Sequence, residues 1–229
     1  MESDALCVLY EDNHLLAINK PAPLPTMGVP ADKVSLVDLA KAYLKKKYNK
    51  PGNVYLGVVS RLDAPVTGIV LFAKTSKAAS RLCDQFRERS VQKKYWALIE
   101  KSIDPPQGEL QNWLRRHERH RKVLIASPRN PDAQEARLRY TTVANLKSRS
   151  LLEIELITGR KHQIRVQLAA VERPIVGDRK YGSPAKFPAG IALHSRALML
   201  EHPVQKTELA LQAPLPSYWP RQVIQQGEQ

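Results

Sequence analysis

Two short apolar runs, Val8-Leu9-Tyr10 and Leu15-Leu16-Ala17-Ile18, flank Glu11-Asp12-Asn13-His14. That punctuation predicts an antiparallel hairpin at the start of the chain. Pro21, Pro23 and Pro25 then forbid regular structure, so the stretch from Lys20 to Pro30 reads as a loop of restricted conformation. Ser35 followed by Asp38 forms a capping-box pattern, and Leu36, Leu39, Ala40, Tyr43 and Leu44 keep the spacing of one helical face. The helix runs into Lys45-Lys46-Lys47-Tyr48-Asn49-Lys50, a solvated end favoured by the helix dipole or, less simply, a phosphate contact. Thr67-Gly68-Ile69-Val70-Leu71-Phe72 has the continuous apolar character of a buried strand. A second helix is expected from Ser76, with Ala79, Leu82, Cys83 and Phe86 on one side and Lys77, Arg81, Arg87 and Arg89 mostly on the other. β-Branched, aromatic and alternating residues predict strands at 92–100, 138–143 and 151–157. Strands separated by polar turns, with few helices, make a mixed or antiparallel sheet the expected arrangement.

A chain of 229 residues accommodates one large domain or a closely joined pair, and a single compact domain is the simpler expectation. The formal net charge of +14 changes the picture more. It favours a polyanionic partner, nucleic acid ahead of an anionic membrane surface. A membrane span would need about 18 consecutive apolar residues, and the sequence has no such run. Met1-Glu2-Ser3-Asp4 lacks the basic start and apolar stretch of a signal peptide, so a soluble, cytoplasmic protein is expected; a monomer is the expected state. Cys7 and Cys83 form no CxxC pattern and read as reduced, buried filler.

Three patterns carry candidate chemistry. Arg61-Leu62-Asp63, with Thr67-Gly68 after it, sets an arginine and a carboxylate at the mouth of the apolar strand. Lys93-Lys94-Tyr95-Trp96-Ala97-Leu98-Ile99 is a strand with a tyrosine near its start. Thr158-Gly159-Arg160-Lys161-His162-Gln163-Ile164-Arg165 is followed by Gly177-Asp178-Arg179-Lys180-Tyr181-Gly182. Taken singly, each has an ordinary explanation: a surface ion pair, a strand core residue with a wet hydroxyl, and a solvated helix arginine.

Together, and in this order, they resemble RNA pseudouridine synthases of the RluA type, whose hallmark is a His-Arg-Leu-Asp segment. The resemblance extends to Asn19-Lys20-Pro21, to Leu193-His194-Ser195-Arg196 and to His202-Pro203, and so covers nearly the whole chain. It implies an α+β pseudouridine synthase fold: a large mixed, mostly antiparallel sheet with flanking helices and loops, over residues 1–229 as a single catalytic domain. The catalytic pattern begins near Val8, so no small S4 domain is expected before it. Two departures stand out: Ser60 occupies the position of the family's usual histidine, and Val66 precedes Thr67-Gly68.

The reaction the resemblance implies breaks the bond between uracil and ribose, turns the base over and rejoins it through carbon. Such an isomerisation is redox-neutral and needs no cofactor, in keeping with a sequence that has no dinucleotide fingerprint or phosphate loop. By resemblance Asp63 is the indispensable residue, acting as a nucleophile or as the group that assists glycosidic cleavage. Arg165 would supply its ion pair, and Tyr95 would stack on the base. Arg61 would fill the gap left by the flipped nucleotide, and Leu193 would form apolar wall. Histidine at 162 reads as structural.

The run from Arg115 to Lys122 contains His117 and His120, yet its arginines oppose a divalent cation, and no metal site is expected. It reads as a mobile basic loop on RNA phosphates, and Arg119, Arg121 and Lys161 are the expected RNA contacts. The expected substrate is a uridine in structured ribosomal or transfer RNA. The competing functions are a non-catalytic RNA-binding module, which would not need Asp63, Tyr95 and Arg165, and a base-excising glycosylase, which would release free uracil.

Overall fold

The opening hairpin forms as expected, β1 (Val8–Glu11) pairing antiparallel with β2 (Leu15–Lys20). Its turn is made by Asp12, whose Oδ1 accepts the N–H groups of His14 at 2.8 Å and Leu15 at 2.7 Å. Helix α1 (Leu36–Lys47) starts at a complete capping box between Ser35 and Asp38. After β3 (Gly57–Val58) and β4 (Thr67–Ala73), helix α2 (Ser76–Glu88) is capped by Thr75, whose hydroxyl accepts the Ala78 N–H, one residue before the Ser76 start read from the pattern. Then come β5 (Gln92–Glu100), β6 (Gln107–His117), β7 (Lys122–Ala126), β8 (Gln134–Leu146) and β9 (Arg149–Leu156). Helix α3 (Gln163–Ala170), a 3₁₀ turn (Arg179–Tyr181), β10 (Leu193–Glu201), β11 (Glu208–Gln212) and α4 (Arg221–Gln226) complete the chain. This is a computed structural model, and it describes residues 6–30, 32–119 and 122–227. The residues divide into two compact units, Met1–Val91 with Ser195–Pro216, and Gln92–His194 with Ser217–Gln229.

In the first unit the strand order is β1-β2-β4-β10, with β3 beside β4 and β11 beside β10. Both central strands are covered on both faces, so their sequences are continuous apolar runs that the two-residue period splits between two cores. Leu15, Ala17, Ile69, Leu71 and Ala73 pack with Ala78 and Leu82 of α2. Leu16, Ile18, Val70 and Phe72 pack with Leu36, Ala40 and Leu44 of α1. Burial of a leucine of this kind stabilises by about 2 kcal/mol, so α1 is held mainly by its docking. A polar knot fastens the end of β1. The Glu11 carboxylate accepts from Tyr43 at 2.8 Å, Lys47 at 2.7 Å, Tyr48 at 2.6 Å and Lys74 at 2.9 Å.

In the second unit the order is β5-β9-β8-β6-β7, paired antiparallel throughout. One isolated bridge elsewhere in this unit, Lys101 with Arg149, is parallel. Helix α3 docks through Val166, which packs with Leu114, Val123 and Ala136. Two glutamines fix its position. Gln163 Oε1 accepts from the Thr158 hydroxyl and the Arg160 N–H, and Gln167 Nε2 donates to Leu110 O, Asn112 Oδ1 and Ala136 O.

Several expectations need correction. Arg115, Arg116, His117 and Lys122 are strand residues instead of loop, with Arg115 paired to Leu124, Arg116 to Val123 and His117 to Lys122, and Glu118 and Arg119 lie in a turn. His120 and Arg121 lie outside the described residues. The strands read at 138–143 and 151–157 are longer, 134–146 and 149–156. Cys7 and Cys83 are both exposed: Cys7 precedes β1, and the face of α2 that buries Ala78 and Leu82 leaves Cys83 at its margin. On α3 Ile164 and Leu168 are buried, and Val171 beyond its end is exposed.

Candidate active site

The Arg61-Leu62-Asp63 segment enters β4 through a turn in which Val66 N–H donates to Asp63 O at 3.0 Å. Asp63 is half-buried and Arg61 is exposed. Ser60 has a clear local role: its hydroxyl accepts the Leu71 N–H at 2.9 Å and donates to Leu71 O at 3.4 Å, standing in for a strand partner. Thr67 is buried, and Gly68 has φ +110° with the backbone of Ser195 pressed against it. A β-carbon there would meet Ser195 O at 2.3 Å, so the position requires glycine. Beneath this turn lies Lys20, with no exposed surface; its Nζ donates to Pro21 O, Leu24 O and Ala64 O at 2.9, 2.7 and 3.1 Å. Burial pushes the Lys20 ammonium down to about 7, against the upward pull of the Asp63 carboxylate.

The second unit holds Tyr95, Arg165, Leu193 and Lys161. Tyr95 is half-buried on β5 opposite Ile154 of β9, so its ring is set by the ladder. Arg165 is buried on α3, contrary to the ordinary solvated arginine. Its Nε donates to Asp178 Oδ2 at 2.7 Å and its Nη2 to Asp178 Oδ1 at 2.9 Å, a two-point grip that fixes the guanidinium plane. Asp178 is itself buried, and the Tyr181 ring lies 5.0 Å from Arg165 Cζ. Tyr181 is anchored in turn: its oxygen accepts the Val123 N–H at 3.0 Å and lies 2.7 Å from His162 Nδ1. The Gly-Asp-x-x-Tyr-Gly turn therefore has a definite job, to hold Arg165. Leu193 is buried at the start of β10. Lys161 and Arg119 are exposed. Among the described residues no group of histidines, cysteines and carboxylates is arranged to hold a metal ion, and no helix is long and apolar enough to cross a membrane.

Residues 14–170 match the RNA pseudouridylate synthase family. The chain belongs to that family. An RNA pseudouridine synthase of Synechocystis is 33% identical over 96% of this chain and 68% of its own length. Ribosomal large subunit pseudouridine synthase D of Xylella fastidiosa is 33% identical over 92% of this chain and 66% of its own. The chain thus spans about two thirds of the length of these relatives. The solved structure of human RNA pseudouridylate synthase domain containing 4 superposes with a TM-score of 0.77 at 27% identity, covering 96% of this chain and 90% of that one. These relatives are of the RluA type, and the α+β fold is the one the resemblance implied.

Within this pseudouridylate synthase, three contributors lie beyond what the local sequence pattern assigns. Lys20 was visible in Asn19-Lys20-Pro21 but only as a motif, since its carbonyl partner Ala64 is 44 residues away. Thr26 had no sequence signal. Tyr181 was visible only as part of a turn.

Proposed function

We propose that this chain converts uridine to pseudouridine in a structured RNA, with Asp63 as the reacting carboxylate, Arg165 as the cation that supports it and Tyr95 as the stacking platform. The observation that carries the reading is that all three fall inside the matched stretch, each on a segment held by buried partners. Asp63 follows a serine that replaces a strand rung, Tyr95 sits in a ladder, and Arg165 is gripped by a buried carboxylate. Bound in this way, reactive groups need little reorganisation when charge develops. Arg61, exposed beside Asp63, would take the space of the extruded base, and Leu193 would line the pocket.

Ribosomal RNA is the first candidate substrate, because relatives from Xylella and Rickettsia carry names for the large ribosomal subunit; transfer RNA is the second. The charge of +14 suits either, with Arg119, Arg121, Lys161 and the lysines ending α1 on the phosphates. We read the protein as cytoplasmic and monomeric, and the whole chain as one functional catalytic domain.

The test is position-resolved pseudouridine mapping of RNA treated with the protein and with Asp63→Ala. Loss of pseudouridine with RNA binding retained is the expected result. Modification that survives the substitution refutes the assignment of Asp63, and appearance of free uracil with abasic sites would make the protein a glycosylase, since isomerisation leaves the mass unchanged.

A further inference from the structure

The two residues on either side of Asp63, Leu62 and Ala64, are both held through their backbone by Lys20, the last residue of β2, and by the proline-rich segment that follows it. On the N-terminal side, Thr26 makes a two-way bond with Leu62: its hydroxyl donates to Leu62 O at 2.9 Å and accepts the Leu62 N–H at 3.1 Å. On the C-terminal side, Ala64 O accepts from the Leu24 N–H at 3.2 Å and from Lys20 Nζ at 3.1 Å. Thr26 is 3% exposed and Lys20 is 0% exposed, so water does not compete for these bonds.

The donor count of Lys20 fits this arrangement. Its three carbonyl partners need three N–H donors, which an ammonium has and a neutral amine lacks. The cage therefore favours the charged form that burial disfavours. Pro21, Pro23 and Pro25 restrict the backbone of the segment, so it is stiff before it bonds. A stiff segment transmits position, whereas a flexible one would merely follow the turn.

We propose that Thr26 and Lys20 are positioning residues for the reaction: they clamp the peptide groups of Leu62 and Ala64 and thereby fix where the Asp63 carboxylate stands. This deepens the functional reading above and rests on it. Neither side chain touches the reacting atoms. A displacement of about 1 Å in a reacting group costs on the order of 100-fold in rate, and the clamp acts on the two residues that flank Asp63.

Thr26→Val tests this, because it keeps the shape of the side chain and removes both bonds to Leu62. Thr26→Ser keeps the hydroxyl, and Thr26→Ala serves as a second deletion should the valine not be accommodated. The measurements are single-turnover pseudouridine formation in total RNA from cells lacking this protein, filter binding of the same RNA, and thermal melting, with rates taken per folded molecule. The expected result is a rate lowered about 10-fold or more in Thr26→Val and Thr26→Ala, an RNA Kd within about twofold of the parent, and a rate for Thr26→Ser within about threefold of it. A deletion variant that melts earlier but reacts at the parental rate overturns the proposal, as does a serine variant as slow as valine. Failure of the unaltered protein to form any pseudouridine overturns the functional reading and this proposal together, a result distinct from either.

Discussion

Replacing Glu11 with Gln removes the charge at the centre of the knot that joins β1, α1 and the residue after β4. Burial alone would raise the Glu11 carboxyl, but hydrogen bonds from Lys47, Tyr48, Lys74 and Tyr43 prevail and hold it at about 2, below its ordinary 4.5. At ~1.36 kcal/mol per decade, that difference is about 3 kcal/mol of folding stability carried by one side chain. The side chain is only 6% exposed, so solvent screens it little. Because the folded value is depressed, the contribution is complete above the unfolded value of 4.5 and disappears as the pH falls toward 2. Urea unfolding followed by far-ultraviolet circular dichroism, for parent and Glu11→Gln at pH 7 and at pH 2.5, reads both effects. The variant should be less stable by roughly 2–3 kcal/mol at pH 7, and the gap should shrink by more than half at pH 2.5. Other carboxylates titrate in both proteins and cancel in the comparison. A gap under about 1 kcal/mol at pH 7, or one of equal size at both pH values, would refute the reasoning.

Two further outcomes are expected. Gly68→Ala should destabilise by more than about 3 kcal/mol, as measured by urea unfolding or as loss of soluble protein, since the new carbon meets the Ser195 backbone and φ is +110°; a stable variant would contradict the close approach. Arg119→Glu with Arg121→Glu should weaken RNA binding and reduce its slope against log salt, as measured by filter binding from about 50 to 200 mM salt; an unchanged slope would remove this hairpin end from the RNA footprint.

What was legible in the sequence was local. The capping box at Ser35 and Asp38 is a three-residue pattern whose partners are its own neighbours, and it formed as read. Strand β5 was legible to the residue because turn residues and a change of period bound it. The hairpin of β6 and β7 is hidden because Arg115, Arg116, Glu118, Arg119 and Lys122 crowd its described end, leaving Leu114 and Val123 as the buried positions among the described residues of the two strands. Residue type predicts burial for Cys83, but its position on the helix face decides its exposure. At the site, the candidate residues followed from motif order, but their supports did not. Asp178 reaches Arg165 across 13 residues and Thr26 reaches Leu62 across 36, through packing that no local pattern encodes.

The two units carry separate spectroscopic reporters. All three tryptophans, Trp96, Trp113 and Trp219, fall in the second unit, and both cysteines fall in the first, exposed to reagents. A maleimide dye on Cys7 or Cys83 would follow one unit while intrinsic fluorescence follows the other in the same cuvette. Coincident transitions would make the chain one cooperative folding body, and separated ones would assign each loss of stability to the unit that suffers it.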